Sequence, residues 1–131
     1  MDTKEYVEGV LCTEAPIDSE VCRRVSDVSL LRLLHSSMGL CTEAGEFMDI
    51  LKKYIYYGKQ LDVANMLEEI GDHLWYVAIA IDEMRTTFSD VMQLNNDKLK
   101  LRYKGGFSDN DALNRDLESE KELLDASIKG R

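Results

Sequence analysis

This sequence predicts an all-α protein, a helical bundle of four to five helices completed by oligomerisation. Three observations carry that expectation. Proline occurs once in the 131 residues, as Pro16, so long stretches run without a helix breaker. Apolar side chains recur at helical spacing, most clearly Val63, Met66, Leu67, Ile70, Leu74, Val77, Ile81 and Met84. Residues suited to open a helix stand ahead of the periodic segments: Asp18 or Ser19, Asp62, Ser89, and Ser108 with Asp111.

Residues 1–17 read as an irregular arm, with Tyr6, Val7, Val10 and Leu11 available to pack on the body or on a neighbouring subunit. Residues 18–127 read as a single all-α domain and 128–131 as a C-terminal tail. The first helix starts near Asp18 and either reaches about Ser36 or breaks and restarts near Gly39. The next continues to about Lys53, and Gly58 turns the chain. Asp62 caps a helix running from Val63 to about Arg85. After a short connection, Ser89 caps a helix that ends near Tyr103, where Gly105 and Gly106 stop it. Ser108 and Asp111 form a capping-box pattern for a final polar helix to about Ala126, read as exposed or as a partner contact without chemistry.

Composition narrows the function. A net charge of −9 denies the chain the basic surface that nucleic acid and anionic membranes reward, so neither is expected as a partner. The longest apolar run, Trp75 to Ile81, is far short of a membrane span. The N-terminal MDTKEYVEGV is acidic and lacks the apolar core of a signal peptide. Cys12, Cys22 and Cys41 are an odd set without metal-knuckle spacing, which suits reduced thiols in a cytoplasmic protein. Cys41 reads as a small core residue.

The chemistry lies in four acids. Glu43 and Glu46 in GLCTEAGEFMD, and Glu69 and Asp72 in NMLEEIGDHLWY, are pairs three residues apart. On a helix such pairs point the same way, about 60° apart. Two pairs on neighbouring helices gather four oxygen donors, the set a hard divalent cation takes: Mg²⁺, with Mn²⁺ as the alternative. Glu69 and Asp72 lie opposite the apolar stripe of their helix and share their face with Tyr76 and Ala80. That helix is therefore expected to be covered on both sides, which calls for another chain.

A basic stripe complements the acids. Asn95, Lys98 and Arg102 share one helix face with Val91, and Leu94, Leu99 and Leu101 lie close beside it. Charge placed within an apolar stripe needs a partner. Lys offers a point charge and Arg a planar fork, together suited to a polyphosphate. Acids, a metal and these cations describe a site for a metal-bound polyphosphate.

At this point the sequence resembles the MazG-like all-α nucleoside triphosphate pyrophosphohydrolase superfamily. Glu43-x-x-Glu46 and Glu69-x-x-Asp72, separated by residues 47–68, match its paired acidic motifs. Gly39-Leu40, the Glu-Ala-Gly-Glu run and Glu-Glu-Ile-Gly-Asp surround them as in the family. Asn95-x-x-Lys98 followed by Arg102-Tyr103 resembles its phosphate-binding segment, although Lys104 stands where the family commonly has proline. The resemblance spans about residues 30–116. It implies hydrolysis of a (d)NTP to (d)NMP and pyrophosphate by water attacking the α-phosphorus. Glu43, Glu46, Glu69 and Asp72 would be the catalytic, metal-holding acids, with Glu46 the choice for general base. Lys98, Arg102 and Asn95 would bind phosphate. It further implies a homo-oligomer, dimer or tetramer, with sites near the subunit interface. Sibling activities, such as dUTP or dCTP hydrolysis or phosphoribosyl-ATP pyrophosphohydrolysis, remain open, as does a non-catalytic module binding a nucleotide or a protein.

Other residues have competing readings. His35 and His73 do not follow a glutamate at the Glu-x-x-His spacing of di-iron bundles, so both read as structural. Trp75 and Tyr56 are candidates to stack on a base, weighed against the core or interface role more usual for aromatics. Lys52, Lys53 and Lys59 read equally as phosphate contacts or as a solvated basic patch.

Overall fold

The computed structural model describes residues 2–129. Seven helices and no strand occur among them: α1 (Thr3–Thr13), α2 (Ser19–Val25), α3 (Val28–Tyr57), α4 (Val63–Glu83), α5 (Phe88–Arg102), α6 (Asp109–Leu113) and α7 (Leu117–Lys129). The fold is all-α, as predicted, with more helices than the four to five expected. The backbone groups into two compact units, Met1–Tyr76 and Val77–Arg131.

The first unit corrects the expectation of an irregular arm. Asp2 and Glu5 form a reciprocal capping box: Glu5 N–H donates to Asp2 Oδ1 (2.8 Å) and Asp2 N–H to Glu5 Oε2 (2.9 Å). That satisfies two otherwise orphaned donors and opens α1. Asp18 caps α2 by accepting from Val21 N–H at 2.9 Å.

The break expected near Gly39 lies instead at Ser26–Asp27. The Asp27 side chain accepts from Leu30 N–H and opens α3, which runs through Gly39 without interruption. Gly39 has a packing role: the Tyr76 ring occupies the space where its Cβ would stand. One turn earlier, Ser36 donates its hydroxyl to the Tyr76 carbonyl at 2.7 Å and is 2 % exposed. Gly58, in the left-handed region at φ 62°, ends α3. Asp62 accepts from Asn65 N–H at 3.1 Å at the start of α4, as its capping role predicts. The chain thus doubles back, and α3 meets the first part of α4 in an antiparallel hairpin.

The apolar stripe of α4 is covered only in part. Ile81 is buried, but Leu67, Ile70 and Leu74 are 64 %, 47 % and 53 % exposed. Cys41, expected in the core, is exposed. It lies two residues from Gly39, about 200° around α3 and so away from the face that meets α4.

In the second unit, Thr87 caps α5 by accepting from Asp90 N–H at 3.1 Å, displacing the expected cap Ser89 into the first turn. Ser108 caps α6, accepting from Asp111 N–H at 3.1 Å. The single final helix expected from Ser108 is two. The Asn114 side chain folds back onto the Asn110 carbonyl, and Asp116 then accepts from Ser119 N–H to open α7. α7 packs against α5 and continues through Lys129, so residues 128 and 129, expected as tail, are helical. Residues 130 and 131 of that tail lie outside the described residues. No helix among the described residues is long and apolar enough to cross a membrane.

Candidate metal centre

The four motif acids lie in the first unit, Glu43 and Glu46 on α3 and Glu69 and Asp72 on α4. Their register follows from the close approach at Gly39. Glu43 is one turn beyond Gly39, and Asp72 one turn before Tyr76, so the contact that pins the helices also brings the acids opposite one another. Carboxylate oxygens of Glu43, Glu69 and Asp72 all lie within 4.8 Å of one another. Glu46 is exposed and lines the same cavity as Glu69.

Glu69 is the buried member, 6 % exposed, and its Oε2 has no hydrogen-bond partner. Burial pushes its carboxyl above the usual range. The charge of Glu46, a hydrogen bond with Glu43, and the charges of Glu43 and Asp72 push the same way. An orphaned buried carboxylate among like charges is costly in isolation and is the donor set a hard divalent cation satisfies. The residues fit such an ion.

Neither histidine joins the donors. His73 Nδ1–H donates to the Glu69 carbonyl at 2.7 Å, holding the ring against its own helix. His35 lies edge-on to Tyr76 and Trp75, with centroids 5.6 and 6.2 Å away. Trp75 also meets Tyr76 edge-on at 4.9 Å, yet remains 56 % exposed; Tyr56 is 77 % exposed.

A cavity of about 440 Å³ extends from the acids along the hairpin. Thr42, Glu46, Asp49 and Lys53 line it from α3, Asn65 and Glu69 from α4. Asp49 accepts from Lys52 and from Lys53, the latter at 2.7 Å. These two hydrogen bonds hold its carboxyl down at about 2. Asp49 and Asn65 did not figure in the sequence expectation. Their signal was present in the spacing, since Glu46, Asp49 and Lys53 repeat at i, i+3 and i+7, and Asn65 precedes Glu69 by four.

The basic stripe belongs to α5 in the second unit, with Lys98 and Arg102 half-buried and Asn95 exposed. Arg102 is already engaged. Its Nε and one terminal nitrogen donate to the two Glu120 oxygens, each at 2.8 Å, and Arg115 donates to the same carboxylate at 2.6 Å. Glu120 is 4 % exposed, and its two guanidinium partners hold its carboxyl at about 2. No local spacing announces this pair, which joins residues eighteen apart on α5 and α7, with α6 between them in the chain.

Comparison with known proteins agrees with the geometry. Residues 33–107 match the family model of the MazG nucleotide pyrophosphohydrolase domain. That segment contains both acid pairs and the Asn95–Lys98–Arg102 stripe. No curated protein and no solved structure matches the chain.

Proposed function

The chain belongs to the MazG nucleotide pyrophosphohydrolase domain family, and on that footing we propose that it converts a (d)NTP to (d)NMP and pyrophosphate in a Mg²⁺-dependent reaction. The observation that carries this reading is the orphaned, buried Glu69 oxygen beside three further motif acids. Glu43, Glu46, Glu69 and Asp72 would hold Mg²⁺, with Mn²⁺ as its substitute. Bound there, the ion would supply Lewis-acid polarisation of the phosphate and a more acidic water at neutral pH. Glu46, exposed and on the cavity wall, would be the general base that takes a proton from the attacking water.

Lys98, Arg102 and Asn95 serve the phosphates in this reading. Two of the five guanidinium N–H groups of Arg102 are committed to Glu120, and Tyr103 takes a further hydrogen bond. Trp75 and Tyr56 are exposed aromatics available to a base. The homo-oligomer, a dimer or tetramer, draws support from Leu67, Ile70 and Leu74, an exposed apolar row opposite the acid-bearing face of α4. Exposed thiols at Cys12, Cys22 and Cys41 suit a cytoplasmic setting.

A panel of canonical and modified nucleoside triphosphates, assayed with Mg²⁺ for pyrophosphate against orthophosphate, tests the proposal. Pyrophosphate with a stoichiometric monophosphate supports it and identifies the base. Orthophosphate release, or no turnover across the panel, contradicts it. Within an active protein, Glu46→Gln and Glu69→Gln each lower turnover at least about a hundredfold with helical content intact.

A further inference from the structure

The cavity that begins at the acids ends at a cation of the same hairpin. Glu46 and Lys53 both line it and lie seven residues apart on α3, about 10 Å along the axis. Asn65 and Glu69, one turn apart on α4, form the facing wall. The space therefore has clustered carboxylates at one end and an ammonium at the other. At one end are the clustered carboxylates, including the unpartnered Glu69 Oε2. At the other, the Lys53 ammonium shares the carboxylate of Asp49 with Lys52.

Lys53 has unspent capacity there. Its ammonium carries three N–H donors, and Asp49 takes one, at 2.7 Å. The same contact holds the flexible side chain against α3, so less rotamer freedom is lost when an anion arrives. Lys52 shares Asp49 but does not line the cavity. Two adjacent lysines with one common acid thus differ in what they face.

We infer that Lys53, positioned by Asp49, contacts the pyrophosphate portion of the substrate within the cavity that begins at Glu46 and Glu69. The identity of the anion rests on the pyrophosphohydrolase reading; the polarity of the cavity does not. A metal held by the acids would neutralise their end, leaving the Lys53 ammonium as the cation of the same cavity for a phosphate chain. Lys53 thereby adds a phosphate contact on the acid-bearing hairpin itself, separate from the stripe on α5.

Calorimetric titration of Mg²⁺-pyrophosphate into the full-length parent, Lys53→Met, Lys52→Met and Lys53→Arg tests the inference. The two methionine variants lose the same charge from neighbouring positions, so a general field effect weakens both alike. The expected result is a loss of about tenfold or more in Lys53→Met, about twofold or less in Lys52→Met, and affinity near the parent in Lys53→Arg. Parental affinity in Lys53→Met, an equal loss in Lys52→Met, or no binding by the parent overturns it. Triphosphate turnover measured on the same samples separates the two claims. Turnover with unchanged Lys53→Met binding removes Lys53 alone, whereas Lys53-dependent binding without turnover removes the enzymatic reading alone.

Discussion

Glu69 and Glu120 are both nearly buried carboxylates, and they face opposite electrostatic situations. Glu69 has one oxygen without a partner and three acids around it. Glu120 receives two arginines, whose four N–H donors fill both its oxygens. Its carboxyl is held at about 2 against an ordinary 4.5, so the folded state binds fewer protons than the unfolded state between those values. The stability this contributes is present above about pH 4.5 and is lost as pH falls toward about 2. Glu120→Gln should therefore lower the melting temperature at pH 7 and flatten the acid limb of the stability curve in that window. Melting curves from pH 7 down to 2 check this; a parental acid limb would contradict the assignment. The two residues also differ in how far sequence reveals them. Glu69 is legible because its partner Asp72 is three residues away on one helix. Glu120 and Arg102 are joined by tertiary packing of α5 and α7, which no local spacing encodes, and a polar helix read as exposed or as a partner contact is anchored by its buried acid.

At the scale of elements, the hairpin of α3 and α4 sets the acid register through Ser36, Gly39 and Tyr76. Gly39→Ala places a methyl group in the Tyr76 ring, and overpacking of that kind costs about 1–3 kcal/mol. Ser36→Ala leaves the Tyr76 carbonyl without that donor and costs about 1 kcal/mol. Chemical denaturation measures both. A neutral Gly39→Ala would show that the helices can separate there without penalty. The same glycine explains why the expected break was misplaced. Glycine lowers helix propensity, which suggested an interruption, but close packing of an aromatic ring rewards a position without a side chain and keeps α3 continuous. The real break carries a stronger signal, an Asp27 cap immediately before Val28. α1 was missed although its signal was local: Asp2 and Glu5, three residues apart, are a capping box.

For the whole molecule, the apolar row on α4 was legible by period, but period cannot say what covers it. Within one chain Leu67, Ile70 and Leu74 remain largely exposed. A second copy covering the row would make the active form an oligomer. Analytical ultracentrifugation should give a dimer or tetramer at working concentration, and Leu67→Glu with Leu74→Glu should shift it toward monomer. A fully active parental monomer would contradict this. The acid pairs, their helices and the all-α class were all readable before any coordinates. The cavity at the acids was not, because it depends on which turns of two helices come opposite each other.

The central claim is that four carboxylates on one hairpin share a cation, and Mn²⁺ titration followed by electron paramagnetic resonance tests it without requiring turnover. The account predicts saturable binding by the parent, weakened about tenfold or more in Glu69→Gln and in Asp72→Asn with helical content unchanged. Equal Mn²⁺ affinity in the parent and both variants would contradict it.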